Sequence, residues 1–217
     1  MLMSATSSIQ LILKETSMRA CLIVACLSAG VLAAPDTFSP DAEGFIRNWL
    51  VLAPIAIAED SGASEIDRDL LKGEAAIKPR DGDKVTIAGT ELTWKAHQTS
   101  EFFIDFLKAF GQARGEDAAA YAVAYVIADD AMTVKLFIGS NDESKAWVNG
   151  KQIIKFADTR TLEKDTDSGE VTLAKGQNVL VFKVINEKNN WQGCARFMKD
   201  GAPVKNIRIS LTPSVVS

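Results

Sequence analysis

One histidine, His97, is all this chain has for imidazole chemistry. It stands in Lys95-Ala96-His97-Gln98-Thr99. A Ser-His-Asp relay, or a zinc centre built from several imidazoles, would have to rest on that residue alone. Its setting reads instead as a polar residue at a strand end. No G-x-S-x-G elbow, glycine-rich phosphate loop or C-x-x-C pair occurs beyond residue 34. Carboxylates are the remaining reactive groups: Asp129 with Asp130, Asp142 with Glu143, and Asp165 with Asp167 and Glu170. Two acids at a suitable separation suffice for glycoside hydrolysis. Each of these sets falls in a polar turn, where acids are ordinarily solvated, and none is placed in the apolar pocket that a general acid of raised pKa requires. Asp165-Thr166-Asp167-Ser168-Gly169-Glu170 alternates oxygen donors like a calcium loop. It lacks the third ligand and the distant Glu of an EF-hand, so a plain turn is the expectation.

The elements that would position these groups are mostly strands. Phe45 to Leu52 reads as a first strand stopped at Pro54. Glu65 to Lys72 carries Ile66, Leu70 and Leu71 at helical spacing, with Ser64 to cap it and Gly73 to end it. Lys84–Ile87 and Glu91–Ala96 flank Ala88-Gly89-Thr90 as a hairpin would. Phe102 to Phe110 fits both a helix and a strand. From Tyr121 onward short apolar runs recur about every ten residues, with Gly, Asn and Asp between them. That spacing indicates a sandwich or barrel, not βαβ units. Asn149-Gly150 joins Lys145–Val148 to Lys151–Ile154 and suits the positive φ angles of a type I′ turn.

The N-terminus differs from the rest. Lys14 and Arg19 precede an uncharged apolar run, Cys21 to Leu32, that exits through Ala33-Ala34-Pro35. A basic lead, a short apolar stretch and small exit residues make a secretory signal, and the run is too short to span a bilayer. Residues 1–34 are therefore read as a signal peptide, with Met18 as an alternative start and Cys26 as a loose lipobox cysteine. Taking away Lys14, Arg19 and Glu15, a net of +1, changes the chain from −4 to −5. Such a surface repels nucleic acid and anionic membrane. Cys194 is the one cysteine left, in a strand-like stretch where it reads as a small core residue. At about 180 residues, roughly 70% of the unfolded surface can be buried without a disulfide.

Gly139-Ser140-Asn141-Asp142-Glu143-Ser144-Lys145-Ala146-Trp147-Val148-Asn149-Gly150-Lys151 resembles the G-S-D-D-G-x-x-v-W-x-N-G-k hairpin of galactose-binding-like and PA14-like jelly rolls. Leu173 to Val184 is similar to their L-x-k-G-x-N-x-l-l-l-K-v strand, and Asn48 to Ile55 resembles the N-W-l-v-L-G-P-f opening of large exported bacterial proteins. The resemblance runs from about residue 45 to residue 211, with a loose middle. It implies a jelly-roll sandwich that works beside carbohydrate-active enzymes. In sugar-binding PA14 relatives the adjacent acids of the turn hold a calcium. By position those acids fall on Asn141 and Asp142, and the turn glycine falls on Glu143. Asn141 keeps a carbonyl oxygen but removes a charge from such a site.

The same residues have structural readings. Ser140 to Ser144 could be a polar loop. Alternation puts Ala146 and Val148 on one face, with Lys145 and Trp147 on the other. If the first pair points inward, Trp147 is exposed and able to stack on a sugar; otherwise it is core. Trp191, which begins its strand after the Asn186–Asn190 loop, has the same two readings, while Trp49 and Trp94 read as core. Arg196 either pairs with a buried acid or points at ligand.

The expectation is an all-β chain: an antiparallel jelly-roll β-sandwich with one or two short helices, preceded by a signal peptide at 1–34 and forming a single domain over 35–217. The functional expectation is an exported, non-catalytic carbohydrate-binding-like module with Asn141, Asp142, Trp147, Asn190 and Trp191 lining the site. Calcium at Asn141 and Asp142 is the only cofactor the pattern admits. A polysaccharide or glycan is the expected partner. The alternatives are a cell-envelope structural or protein-interaction domain, with an envelope protein as partner, and a small two-carboxylate glycoside hydrolase. Nucleic acid is not an expected partner, and no later run is long enough for a transmembrane helix.

Overall fold

The computed structural model describes residues 36–111 and 115–214. The expected signal segment, Met18 and Cys26 lie outside the described residues. In chain order the strands are β1 (Thr37–Phe38), β2 (Asn48–Ala56), β3 (Lys84–Ile87), β4 (Thr90–Thr93), β5 (Lys95–Gln98), β6 (Ile104–Asp105) and β7 (Ala118–Ala128). They continue as β8 (Met132–Ser140), β9 (Ser144–Val148), β10 (Lys151–Phe156), β11 (Asp167–Leu173), β12 (Gly176–Asn186), β13 (Gln192–Lys199), β14 (Ala202–Pro203) and β15 (Ile207–Ser210). Two short helices, α1 (Gly62–Glu65) and α2 (Phe106–Phe110), and a 3-10 turn at Glu74–Ala76 complete the set. No helix among the described residues is long and apolar enough to cross a membrane.

The larger sheet runs β1-β15-β7-β12-β9-β10, with β2 pairing β7 and β5 pairing β2. The smaller runs β11-β8-β13-β14, with β6 also on β13. Pairing is antiparallel in both. The architecture is thus all-β and sandwich-like, because one apolar cluster joins the two sheets. Ala120, Ala122 and Ala124 of β7 and Leu180, Phe182 and Val184 of β12 meet Leu136 and Ile138 of β8 and Ala195 and Phe197 of β13. Alanine on β7 lets the larger side chains opposite come close, as dense interior packing requires.

The larger sheet is buried on its other face too. Ala119, Tyr121, Val123 and Tyr125 of β7 belong to a second cluster with Val181, Trp147, Ile66, Leu71 and Trp94. That face is covered by the excursion between β2 and β5. Strands buried on both sides lose hydrophobic-polar alternation, which is why Ala118-Ala119-Ala120-Tyr121-Ala122-Val123-Ala124-Tyr125 contains no charged residue.

Three local expectations are corrected. β2 does not stop at Pro54. It continues to Ala56, and its ladder with β7 shifts register between Leu52 and Ile55, where proline supplies no N–H. Phe45 lies outside the strand and makes a single bridge to Arg196. The helix expected over Glu65–Lys72 does not form, since α1 covers only Gly62–Glu65. The carbonyls of Ile66 and Arg68 accept from Lys183 Nζ at 3.3 and 2.7 Å instead of continuing a helical ladder, and that of Glu65 accepts from it at 2.8 Å beside a single turn bond from Arg68 N–H at 3.2 Å. The ambiguous stretch is both things in turn: β6, then α2 capped by the Asp105 side chain on Lys108 N–H at 3.1 Å. At Asn149-Gly150 φ is 51° and 81°, the geometry of the expected turn.

Candidate functional site

The Ser140–Ser144 turn links β8 of the smaller sheet to β9 of the larger. It is polar in sequence yet buried throughout, with Asn141 at 7% and Asp142 at 8% exposure. Most of its polar groups are satisfied from within, Asn141 Oδ1 and Glu143 Oε2 excepted. Asp142 accepts from Glu187 N–H at 3.1 Å with one oxygen and from Arg160 N–H at 3.3 Å with the other. The Arg160 guanidinium donates to Ser140 Oγ at 2.8 Å and Ser144 Oγ at 3.4 Å, and it pairs with Asp167. Asn141 Oδ1 has no hydrogen-bond partner, but one carbonyl oxygen is not a cage. Both Asp142 oxygens are committed to N–H donors, an arginine sits beside them, and no cluster of three metal-ligating side chains occurs among the described residues. These donors do not fit a calcium ion, whose shell needs six or more oxygens.

The turn brings Asn141 and Asp142 to the loop before β13: Asn141 N–H donates to Gln192 C=O at 2.9 Å. Asn190 is exposed in that loop. Trp191, beside it, is 1% exposed, donates its indole N–H to Val184 C=O at 3.3 Å and packs on Phe106 with ring centroids 5.3 Å apart. Trp147 does not join this group. Its neighbours Ala146 and Val148 do point into the core between the sheets, but the opposite face is covered by the excursion, which leaves Trp147 5% exposed beneath Lys145. Neither ring offers a face to a sugar, so the two indoles are corrected from ligand platforms to core. Trp49 and Trp94 are buried, as their sequence positions indicate.

The acids are mostly paired with cations. Asp129 meets Arg208 at 2.9 Å and Asp130 meets Lys175 at 3.4 Å. Asp165 pairs with Arg196, which also donates to Glu43 C=O at 2.8 Å. Asp165 and Asp167 thus serve arginines rather than a calcium loop. Glu143 is the exception. It is 1% exposed, and its Oε2 lacks a partner. Burial pushes its carboxyl up to about 7; its own backbone N–H opposes this, and the charges of Glu187, Asp142 and Asp158 add to it. It also packs against Gly62, where an added Cβ would come within 2.5 Å of Oε2. A general acid needs such a pKa, but it also needs access to substrate, and this one is sealed. His97 is half-buried in β5 opposite Trp49, and burial lowers its pKa while Asp105 works the other way. Burial pushes the Cys194 thiol up to about 12, so it is an inert core group.

An open amphipathic surface lies elsewhere, on the outer face of the smaller sheet. β8 turns Val134, Leu136 and Ile138 inward and Thr133, Lys135 and Phe137 outward. Cross-strand pairing places Phe137 between Ser168 of β11 and Arg196 of β13. One step along, Lys135 lies between Glu170 and Met198. The Lys199-Asp200-Gly201 turn rises at one end and closes a groove of about 510 Å³, within the ordinary range for ligand sites. Half-buried Phe137 and Met198 make its apolar floor, and charged or hydroxyl side chains make its rim. The sequence signal for it is an aromatic on the polar side of an alternating strand, Thr133-x-Lys135-x-Phe137.

No family model matches the chain, and no curated protein matches it. Among solved structures it is similar to a β-glucuronidase from Faecalibacterium prausnitzii, with 14% identity and a TM-score of 0.39 over 69% of this chain. The chain spans about a fifth of that enzyme, 22% of its length. It is also similar to a family 35 carbohydrate binding module from an environmental isolate, at 15% identity and a TM-score of 0.33, over 78% of this chain and 98% of that one. A PA14 sugar-binding domain from an RTX adhesin is 15% identical with a TM-score of 0.37, over 76% of this chain and 99% of that one.

Proposed function

We propose that this chain is an exported, non-catalytic jelly-roll module over residues 35–217 that binds a polysaccharide on the open face of the smaller sheet. The observation that carries the reading is Phe137: an aromatic ring left partly in solvent, on a face of β8 that is otherwise polar, lining a groove. Sugars present an apolar C–H face and a polar hydroxyl edge. Phe137 and Met198 suit the first, and Thr133, Lys135, Glu170 and Asp200 suit the second. The likeness of Gly139–Lys151 and Leu173–Val184 to galactose-binding-like jelly rolls supports the same class. In this reading Asn141, Asp142, Trp147 and Trp191 hold the sandwich together, and Asn190 lies off the binding face.

Calorimetry against a panel of soluble polysaccharides tests it. The expected result is weak, enthalpy-driven, calcium-independent binding, lowered at least about tenfold by Phe137→Ala with unchanged circular dichroism. A blank panel, or full binding by Phe137→Ala, would overturn it. A stoichiometric co-purifying protein that competes at Phe137 would turn the same face into a protein-interaction surface.

A further inference from the structure

A second recess, of about 400 Å³, lies within the excursion that covers the larger sheet, between the Leu71–Pro79 stretch and the β3–β4 hairpin. Its floor is apolar: Leu71 and Trp94, each 5% exposed, with Ile77 and Val85 beside them. Its rim carries Lys72, Lys78 and Lys84 against a single acid, Asp83. On a chain of net charge −4 this is a local reversal of sign. Lys84 is partly neutralised by Glu91 at 2.8 Å, and Asp83 accepts from Arg80 N–H at 2.7 Å. Lys72 and Lys78 have no carboxylate within ion-pair distance among the described residues.

The walls are fixed without a ligand. Tyr125 donates to Pro79 C=O at 2.6 Å, and Trp94 exchanges backbone hydrogen bonds with Asp83 and Gly82 at 2.8 and 2.9 Å. A preformed recess loses little entropy on binding. None of its lining side chains is a hydroxyl or an amide. Its charged side chains are three ammonium groups against one carboxylate, a balance that favours an anion over a neutral sugar.

We propose that this recess binds a small organic anion with a flat apolar body, an aryl carboxylate or sulfonate, its ring against the half-buried Ile77 and Val85 and its charge between Lys72 and Lys78. The site is independent of the glycan reading. Anilinonaphthalene sulfonate, titrated into the folded protein by calorimetry, is the test. Expected are one saturable site, affinity that falls with salt, and about tenfold weaker binding by the Lys72→Ala/Lys78→Ala double variant. The uncharged N-phenylnaphthylamine should bind about tenfold more weakly than the sulfonate, and Phe137→Ala should leave sulfonate binding unchanged. Both lysines are exposed, so the double variant is expected to keep the wild-type circular dichroism. Absence of saturable binding, equal affinity for the uncharged probe, or full binding by the double variant would each overturn the proposal.

Discussion

The two outer faces of this sandwich-like fold started from comparable material and ended differently. On the larger sheet, Lys145, Trp147, Tyr121 and Lys183 face away from the core between the sheets, and a chain excursion covers them. On the smaller sheet, Lys135, Phe137 and Met198 face outward with little above them. Cationic and aromatic side chains alternate on both. Under the cover, Lys183 is fully buried, meets Glu74 at 3.4 Å and donates to three carbonyls, while Tyr121 hydrogen-bonds the same glutamate. Burial therefore lowers the Lys183 pKa, and burial with the nearby Glu74 charge raises that of Tyr121. The comparison teaches that residue type does not assign a strand face to binding. What lies over the face does.

Substitutions sharpen this contrast. The largest effects belong to the covered side and the core. Lys183→Met removes the cation from a buried pair and leaves the carbonyls of Ile66 and Arg68 without their donor. It is expected to cost about 3–5 kcal/mol in urea unfolding. A loss near zero would mean that the excursion is not fastened through Lys183. Trp191→Ala should cost a similar amount, about 3–5 kcal/mol, because it empties the space beside Phe106.

Next comes Glu143. Its folded pKa of about 7 lies above its ordinary 4.5, so between those values the folded form retains a proton that the unfolded chain has lost. The stability contributed by this group is full below about 4.5, declines as pH rises towards 7 and is gone above that, a total of roughly 3 kcal/mol. Glu143→Gln should flatten that slope in unfolding curves taken across the window.

On the open side, Phe137→Ala should change stability by less than about 1 kcal/mol, in contrast to Trp191→Ala. The smallest effect is expected at the surface pair Asp129–Arg208, about half-exposed on both sides. Asp129→Asn should move the unfolding midpoint by no more than about 1 kcal/mol equivalent.

Much of the strand order was legible because turns announce themselves locally. Asn149-Gly150 sets its own geometry, and Ala88-Gly89, with φ of 48° and 83°, closes the β3–β4 hairpin near where composition places it. The Glu65–Lys72 segment has helical spacing, but the partner that competes for its carbonyls, Lys183, is 115 residues or more away in sequence. The site is hidden from the sequence for a related reason. Alternation correctly puts Trp147 opposite Ala146 and Val148, but nothing in β9 says that a segment from between β2 and β5 will lie over it. Phe137 needed only its own strand to be noticed.

Lys183 also binds two regions into one cooperative body. Its ammonium sits on β12, while the four oxygens that accommodate it, three carbonyls and one of the Glu74 carboxylate, belong to the excursion. The cover cannot lift without stranding a charge on bare apolar surface. Amide protons of Ile66–Leu71, which secondary structure alone would leave to fray, should therefore exchange with solvent on the slow timescale of the central strands.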